Sequence, residues 1–292
     1  MTTEPSQSNA TGTASDDRYD RLIEALRDLG SAVVAFSGGV DSTLLLHAAR
    51  QALGDRVVAA SGLSETYAAE EMADARRLAA LVGVPYEVVP TMELTDPRYA
   101  NNSHQRCYFC KSELYTRLNT VRDRLGFAAI VDGANADDLS DFRPGARAAA
   151  ELGVRSPLQE VGLTKAEIRS LSARFGLPTW DKPAVACLSS RFAYGDPITV
   201  EKLSQVGRAE RALLRLGFRG ARVRHHDTVA RIEVPPDRLA DAFAQREVVV
   251  AAVRSAGYRY VTLDLDGYRT GSQNEVLHAR LKPGGLRGES AL

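Results

Sequence analysis

A chain of 292 residues is long enough for about two domains of ordinary size, each with its own core. Its 37 Lys and Arg balance 37 Asp and Glu, which argues against a protein that coats nucleic acid or clings to an acidic membrane. Hydrophobic content of 44% with 25% charged residues excludes wholesale disorder. No apolar run approaches the about 18 residues of a spanning helix, and three cysteines cannot all pair in disulfides, so a reducing, cytoplasmic setting is expected.

Residues 1–17 are expected to be a disordered tail: they lack the basic and apolar regions of a secretory signal. Tyr19, Leu22, Ile23, Leu26 and Leu29 then mark one apolar helical face, ended by Gly30. A strand follows at 32–36, a glycine turn at 37–41 and a helix at 42–53. The next elements are a strand at 57–60, a helix at 68–82, a strand at 86–89, a helix at 111–125 and a strand at 128–131. Apolar strands alternating with helices specify a parallel sheet covered on both faces, so an α/β doubly wound domain is expected over 18–180. Thr164 with Glu167 forms a capping box that opens a helix at 165–175. Beyond a loop at 180–197 carrying Cys187, the pattern gives a helix at 200–216 and strands at 221–224 and 229–234. A helix after Pro235-Pro236 and a strand at 258–263 complete a smaller α+β domain over 181–280, and 281–292 should fray.

Ser37-Gly38-Gly39-Val40-Asp41-Ser42 joins a strand to a helix. The N–H groups of such a turn and the positive end of the helix make a cradle for phosphate, and glycine lets the backbone approach the anion closely. The loop lacks the lysine and the length of the phosphate loop of ordinary ATPases and GTPases.

In this setting SGGVDS resembles the PP-loop, or N-type ATP pyrophosphatase, superfamily, whose members adenylate a substrate oxygen and release pyrophosphate. The resemblance implies that Ser37, Gly38, Gly39 and Ser42 hold the departing diphosphate of ATP, with Asp41 near its Mg2+. Further segments narrow the likeness. Asp132-Gly133-Ala134-Asn135-Ala136-Asp137-Asp138 ends a strand where doubly wound sheets place ligands, and Asp141-Phe142-Arg143-Pro144-Gly145 follows. Thr179-Trp180-Asp181-Lys182-Pro183 and Ala186-Cys187-Leu188-Ser189-Ser190-Arg191 come later. Together these are similar to the LarE family of ATP-dependent sulfur transferases over roughly residues 18–275, with Ala134 and Ala193 departing from the family's Thr and Pro. By that resemblance Gly133 and Asp137 also contact the nucleotide.

The resemblance implies an activity. Such enzymes adenylate a carboxylate of pyridinium-3,5-biscarboxylic acid mononucleotide and convert it to a thiocarboxylate, in making a nickel-pincer cofactor. In one branch a single cysteine, matched by Cys187, surrenders its sulfur and becomes dehydroalanine; in another, three cysteines hold a [4Fe-4S] cluster that delivers sulfide. Here Cys107-Tyr108-Phe109-Cys110 places two thiolates within reach of one metal centre, and Cys187 would complete a three-cysteine site. The cluster is the favoured expectation. Sacrificial Cys187, a zinc site with His104 as fourth ligand, and a redox pair remain alternatives.

Eight Lys or Arg stand between Lys202 and Arg231 against Glu210 and Asp227. Arg222 and Arg224 alternate on a strand and share one face, and guanidinium forks suit the phosphate and carboxylates of the implied substrate. By resemblance Arg269, Glu210 and Glu233 join that pocket, while a solvated basic face is the plain alternative. His225 and His226 are read as strand-end residues rather than catalysts. A tRNA thiolase or a nucleotide-binding regulator are the competing functions. Zero net charge and the lack of an appended RNA-binding module count against the first, and the three cysteines count against the second. Expected partners are the small-molecule substrate, a sulfur donor or cluster-assembly proteins, and further copies of the chain in a homo-oligomer; nucleic acid and membrane are not expected.

Overall fold

The computed structural model describes residues 14–64, 69–140, 144–183 and 186–269. The expected terminal tail at 281–292 and the Asp141-Phe142-Arg143 segment lie outside these residues, as do residues 1–13. The chain divides into two compact units. One runs through Tyr99 and resumes from His104 up to Val185; the other takes Ala100–Ser103 and everything from Ala186 onward.

The first unit alternates helices and strands: α1 (Ala14–Leu29), β1 (Ala32–Ala35), α2 (Val40–Leu53), β2 (Val57–Leu63), α3 (Ala69–Val82) and β3 (Tyr86–Pro90). After the one-turn α4 (Pro97–Ala100) come α5 (Arg106–Leu125), β4 (Ala129–Val131), α6 (Pro144–Glu151), α7 (Pro157–Glu160) and α8 (Lys165–Arg174). The four strands form one parallel sheet in the order β3-β2-β1-β4. Successive side chains of a strand point to opposite faces, and here both faces are covered. Val33, Val58, Ala60 and Ile130 pack on Leu114, Leu118 and Val121 of α5. Ala32, Val34, Val57, Ala59 and Val131 pack in the core that holds α1, α2, α3 and α8 through Leu22, Leu45, Leu78 and Ile168. Burial on both faces is why these strands read as continuous apolar runs rather than alternating ones.

Two differences from the sequence pattern have physical causes. Helix α1 begins at Ala14, inside the expected tail, where Asp16 and Asp17 sit in the first turn and Asp16 ion-pairs with Arg174 of α8. Helix α5 begins at Arg106 rather than Lys111, so Cys107 and Cys110 are helical. The inward residue of that opening turn is the buried Arg106, where a periodic pattern would show an apolar side chain. The capping box at Thr164 forms as expected, with the Thr164 side chain accepting from Glu167 N–H and Glu167 accepting from Thr164 N–H. Helices α6 and α7 fall in a stretch whose short apolar content gives no periodic signal.

The second unit holds α9 (Val200–Arg215), β5 (Arg222–His226), β6 (Val229–Glu233), α10 (Leu239–Ala244), α11 (Arg246–Arg254) and β7 (Tyr260–Leu263). Its sheet runs β5-β6-β7, with β5/β6 an antiparallel hairpin turned at Asp227 (φ +50°) and β6/β7 parallel. Leu213 of α9 and Val249 and Val253 of α11 close its core over Val223, Ala230 and Ile232. Among the described residues no helix is long and apolar enough to cross a membrane.

Candidate functional site

In the first unit the chain winds from β1 outward through β2 and β3, then returns to place β4 on the other side of β1. The crevice beyond the carboxyl ends of β1 and β4 is therefore a topological switch point, where open α/β sheets bind ligands. The glycine loop leaves β1 there. Ser61 Oγ donates to the carbonyl of Phe36 and pins the strand end. Gly38 has φ +67°, a conformation strained for any side chain. Gly39 caps α2 without a side-chain cap bond, so the first-turn N–H groups keep no acceptor of that kind. The two serines brace the turn: their Oγ atoms lie 3.0 Å apart, and Gly39 N–H donates to Ser37 Oγ at 3.3 Å.

The loop after β4 lies directly against this cradle. A Cβ on Gly133 would sit 3.0 Å from Ser42 N and 3.2 Å from Ser42 Cα, so glycine is what permits the two loops to touch. Asp132 is an internal anchor, accepting from Tyr115 Oη (2.6 Å), Ser156 Oγ (2.7 Å) and Ala134 N–H (3.2 Å). Burial first, and the Asp132 charge second, push the Tyr115 hydroxyl well above its usual range, so it stays a donor. Asn135 donates to Asp41 at 3.4 Å, and Asp137 accepts the N–H of Lys165 at 2.9 Å, satisfying the opening of α8.

Two cations at this cradle escape the sequence pattern. Lys165 forms an ion pair with Asp41, and Lys182 Nζ donates to the carbonyl of Gly38 at 3.0 Å. The signal available for them was indirect: a glycine loop expected to hold phosphate, with no lysine of its own, calls for positive charge from elsewhere.

None of the three cysteines is joined in a disulfide. Cys107 and Cys110 stand three apart in the first turn of α5 and so share a face, Cys107 exposed and Cys110 half-buried. Their surroundings are aromatic and cationic: Arg147 stacks 4.2 Å from the Tyr108 ring and Arg98 4.7 Å from that of Phe109. Helix α6 approaches the same turn through Gly145, whose Cβ would lie 2.9 Å from Lys111 Cγ. Cys187 belongs to the second unit. Among the described residues no three His, Cys, Asp or Glu side chains converge as a metal site. The i, i+3 thiol pair does fit two positions of a thiolate-ligated centre by donor chemistry.

Cys187 opens a tight turn over Leu188–Arg191 that is clamped by buried charge. Arg191, 3% exposed, donates to the carbonyls of Ala186 (2.9 Å) and Cys187 (3.2 Å) and forks onto Glu210 at 2.8 and 3.0 Å. Glu210 also accepts Val223 N–H at 2.9 Å. Arg224 grips the same turn, donating to the Ser190 carbonyl (2.7 Å) while forking onto Glu233 at 2.9 and 2.7 Å. Glu233 takes a second cation, Arg231, at 3.1 Å, and Arg231 reaches Asp264 at 2.8 Å. Glu210 and Glu233 thus serve as counterions in the network that fixes the Cys187 backbone. Arg222 donates to the carbonyls of Gly220 and Ala221 and lies over the Tyr268 ring at 5.2 Å. Burial, then the nearby Arg191 charge, lowers its pKa. Arg269 is half exposed, 3.7 Å from Asp266.

No protein-family model matches the chain. It is 46% identical over 264 residues to an uncharacterized protein of Synechocystis sp., covering 90% of this chain and 98% of the relative. It is 42% identical over 257 residues to the pyridinium-3,5-bisthiocarboxylic acid mononucleotide synthase of Lactiplantibacillus plantarum, covering 88% of this chain and 93% of that one. A third relative, an uncharacterized protein of Methanocaldococcus jannaschii, is 30% identical over 170 residues, 58% of this chain and 66% of its own.

Proposed function

The chain belongs to the LarE family of pyridinium-3,5-bisthiocarboxylic acid mononucleotide synthases, and from that premise we propose that it is an ATP-dependent sulfur transferase of the PP-loop type. Its substrate in this reading is pyridinium-3,5-biscarboxylic acid mononucleotide. A carboxylate oxygen of the substrate attacks the α-phosphorus of ATP, the bond to the β-phosphate oxygen breaks, and pyrophosphate leaves with the electron pair. The acyl adenylate then exchanges AMP for sulfur to give the thiocarboxylate. The near full-length likeness to the named synthase carries the reading.

The geometry supports each half. For the first, the anion cradle of Ser37–Ser42 stands at the switch point, with Gly133 allowing the β4 loop to close on it. Asp41, in the first turn of α2, would serve Mg2+, and the N–H groups and serine hydroxyls of the loop would meet the phosphates of a nucleoside triphosphate. For the second, Cys187 is a half-buried thiol on a backbone that two arginines immobilise. By donor chemistry alone, Cys107, Cys110 and Cys187 would be the thiolate ligands of a [4Fe-4S] cluster, a group that supplies sulfide when bound. The fixed turn at Cys187 favours a second reading in which its own thiolate attacks the acyl carbon. AMP then leaves, and loss of the Cys187 α-proton with cleavage of the Cβ–S bond yields thiocarboxylate and dehydroalanine.

Pyrophosphate release with ATP, Mg2+ and the dicarboxylate nucleotide tests the first half. Release that depends on the nucleotide is expected; release only with tRNA, or none, overturns the reading. Protein reconstituted anaerobically with iron and sulfide separates the two sulfur routes. Bound iron and an unchanged polypeptide mass after turnover support the cluster, whereas a single loss of about 34 Da after one turnover supports the sacrificial cysteine.

A further inference from the structure

Resting on this reading of the glycine loop, we propose that Lys182 is a catalytic residue, the cation that neutralises the diphosphate as it leaves. Ordinary phosphate loops carry a lysine within the loop for this purpose, and Ser37–Ser42 has none. Backbone N–H groups and a helix end supply partial charge only, while the departing diphosphate gathers full negative charge on oxygens that need a partner.

Among the described residues two ammonium groups reach the loop, and their commitments differ. Lys165 is spent on the neighbouring carboxylate: its Nζ pairs with Asp41 and its own N–H donates to Asp137. The Lys182 ammonium rests on a neutral acceptor, the carbonyl of Gly38 at 3.0 Å, with Asp74 at 4.0 Å, the outer limit of an ion pair. A carbonyl oxygen is a weaker partner for an ammonium than a phosphate oxygen, because the second bond is charge-assisted on both sides. The contact with Gly38 is therefore a resting position, one residue from the cap of α2, from which a short rotation of the side chain meets a bound phosphate.

The backbone that carries Lys182 is fixed for the task. Arg169 of α8 donates to the carbonyls of Trp180 (2.6 Å) and Lys182 (2.8 Å), and Lys182 N–H donates to the carbonyl of Thr179 at 3.0 Å. Thr179 itself is buried. Arg169 acts through Lys182 and is a positioning residue: it holds the segment so that a long, flexible side chain starts from a defined point. This arrangement restores on a separate segment the charge that the loop omits.

Calorimetric titration of the full chain with inorganic pyrophosphate, ATP and AMP tests the proposal. Lys182→Ala is expected to weaken pyrophosphate and ATP by about 10- to 100-fold, the scale of a charged hydrogen bond, and AMP by less than about threefold. Lys182→Arg should recover most of the loss. Arg169→Ala should weaken pyrophosphate by itself and add nothing in the Lys182→Ala background, since it acts through that side chain. Pyrophosphate bound equally by Lys182→Ala and the unaltered chain overturns the assignment. So does an equal loss for AMP and pyrophosphate with a lower melting temperature, which would make Lys182 a tether for the loop. If the unaltered chain binds neither ATP nor pyrophosphate, the ATP-dependent reading fails first, before any variant is made.

Discussion

The glycine cradle and the Cys187 turn are both rigid, but they are held by different forces. In the first unit the cradle is shaped by backbone: Gly38 at positive φ, Gly133 against Ser42, and serine hydroxyls bridging the turn. Its cations, Lys165 and Lys182, are part-exposed. In the second unit the turn is shaped by charge: Arg191 on Glu210 and Arg224 on Glu233, with side chains almost wholly buried. In the proposed reading, a cradle for a transient, many-charged anion needs a cation that is not already spent on a carboxylate beside it. Lys182, resting on the Gly38 carbonyl, is that cation, while Lys165 holds Asp41. A thiol that must be presented the same way each time benefits from a neighbourhood in which the charges are spent on one another. The two regions are therefore expected to fail differently when disturbed.

The largest expected effect is on chemistry. Cys187→Ala should lower thiocarboxylate formation by at least about 10³-fold while leaving pyrophosphate release within a few-fold, because the nucleophile or ligand is lost and the cradle is intact. Equal loss of both products would show that the two regions do not act in sequence. Next is stability. Glu210→Ala leaves the Arg191 guanidinium buried without its carboxylate and should destabilise the protein by about 3–5 kcal/mol in denaturant melts. In the cradle, Gly133→Ala presses a methyl group to 3.0 Å from Ser42 N and should cost about 1–3 kcal/mol. It should also reduce ATP affinity, which Glu210→Ala should spare. Reversal of that pattern would remove the contrast between the regions.

The smallest effect is a pH dependence shared by both. Burial lowers the pKa of His47 in α2 and, with the Lys202 charge second, that of His225 in β5, so folding favours the neutral form of each. His225 Nδ1 lies 3.0 Å from Tyr258 Oη, and its Nε2 is buried without a hydrogen-bond partner. A histidine with a depressed folded pKa leaves the unfolded chain binding more protons. Its stability contribution is present above the ordinary value of 6.5 and is lost as pH falls from there through the folded pKa. Melting temperature should drop between pH 7.5 and 5.5, and His225→Asn should flatten that drop by more than a surface histidine such as His226→Asn does. A pH profile unchanged by His225→Asn would contradict this.

What was legible in the sequence follows the same division. The glycine loop is six consecutive residues between a strand and a helix, so the anion chemistry expected of it is written locally, and the parallel sheet follows from apolar strands alternating with helices. The partners of the cradle are not local: Lys165 meets Asp41 from 124 residues away, and Lys182 meets Gly38 from 144. Glu210 and Glu233 enter the expected pocket by resemblance alone; folded, each faces an arginine that no spacing rule connects to it. The opening of α5 was hidden by Arg106, a buried cation where periodicity looks for an apolar side chain. Cys187 itself stood out through the segment around it, but the clamp that fixes its backbone is a tertiary feature.

In the proposed reaction one chain performs both nucleotide activation and sulfur insertion on one small molecule. The most direct test is mass spectrometry of pyridinium-3,5-biscarboxylic acid mononucleotide after incubation with the anaerobically prepared protein, ATP and Mg2+. Replacement of a carboxylate oxygen by sulfur is expected, dependent on ATP and absent with Cys187→Ala. An unaltered nucleotide under these conditions, or sulfur incorporation that persists with Cys187→Ala, would contradict it.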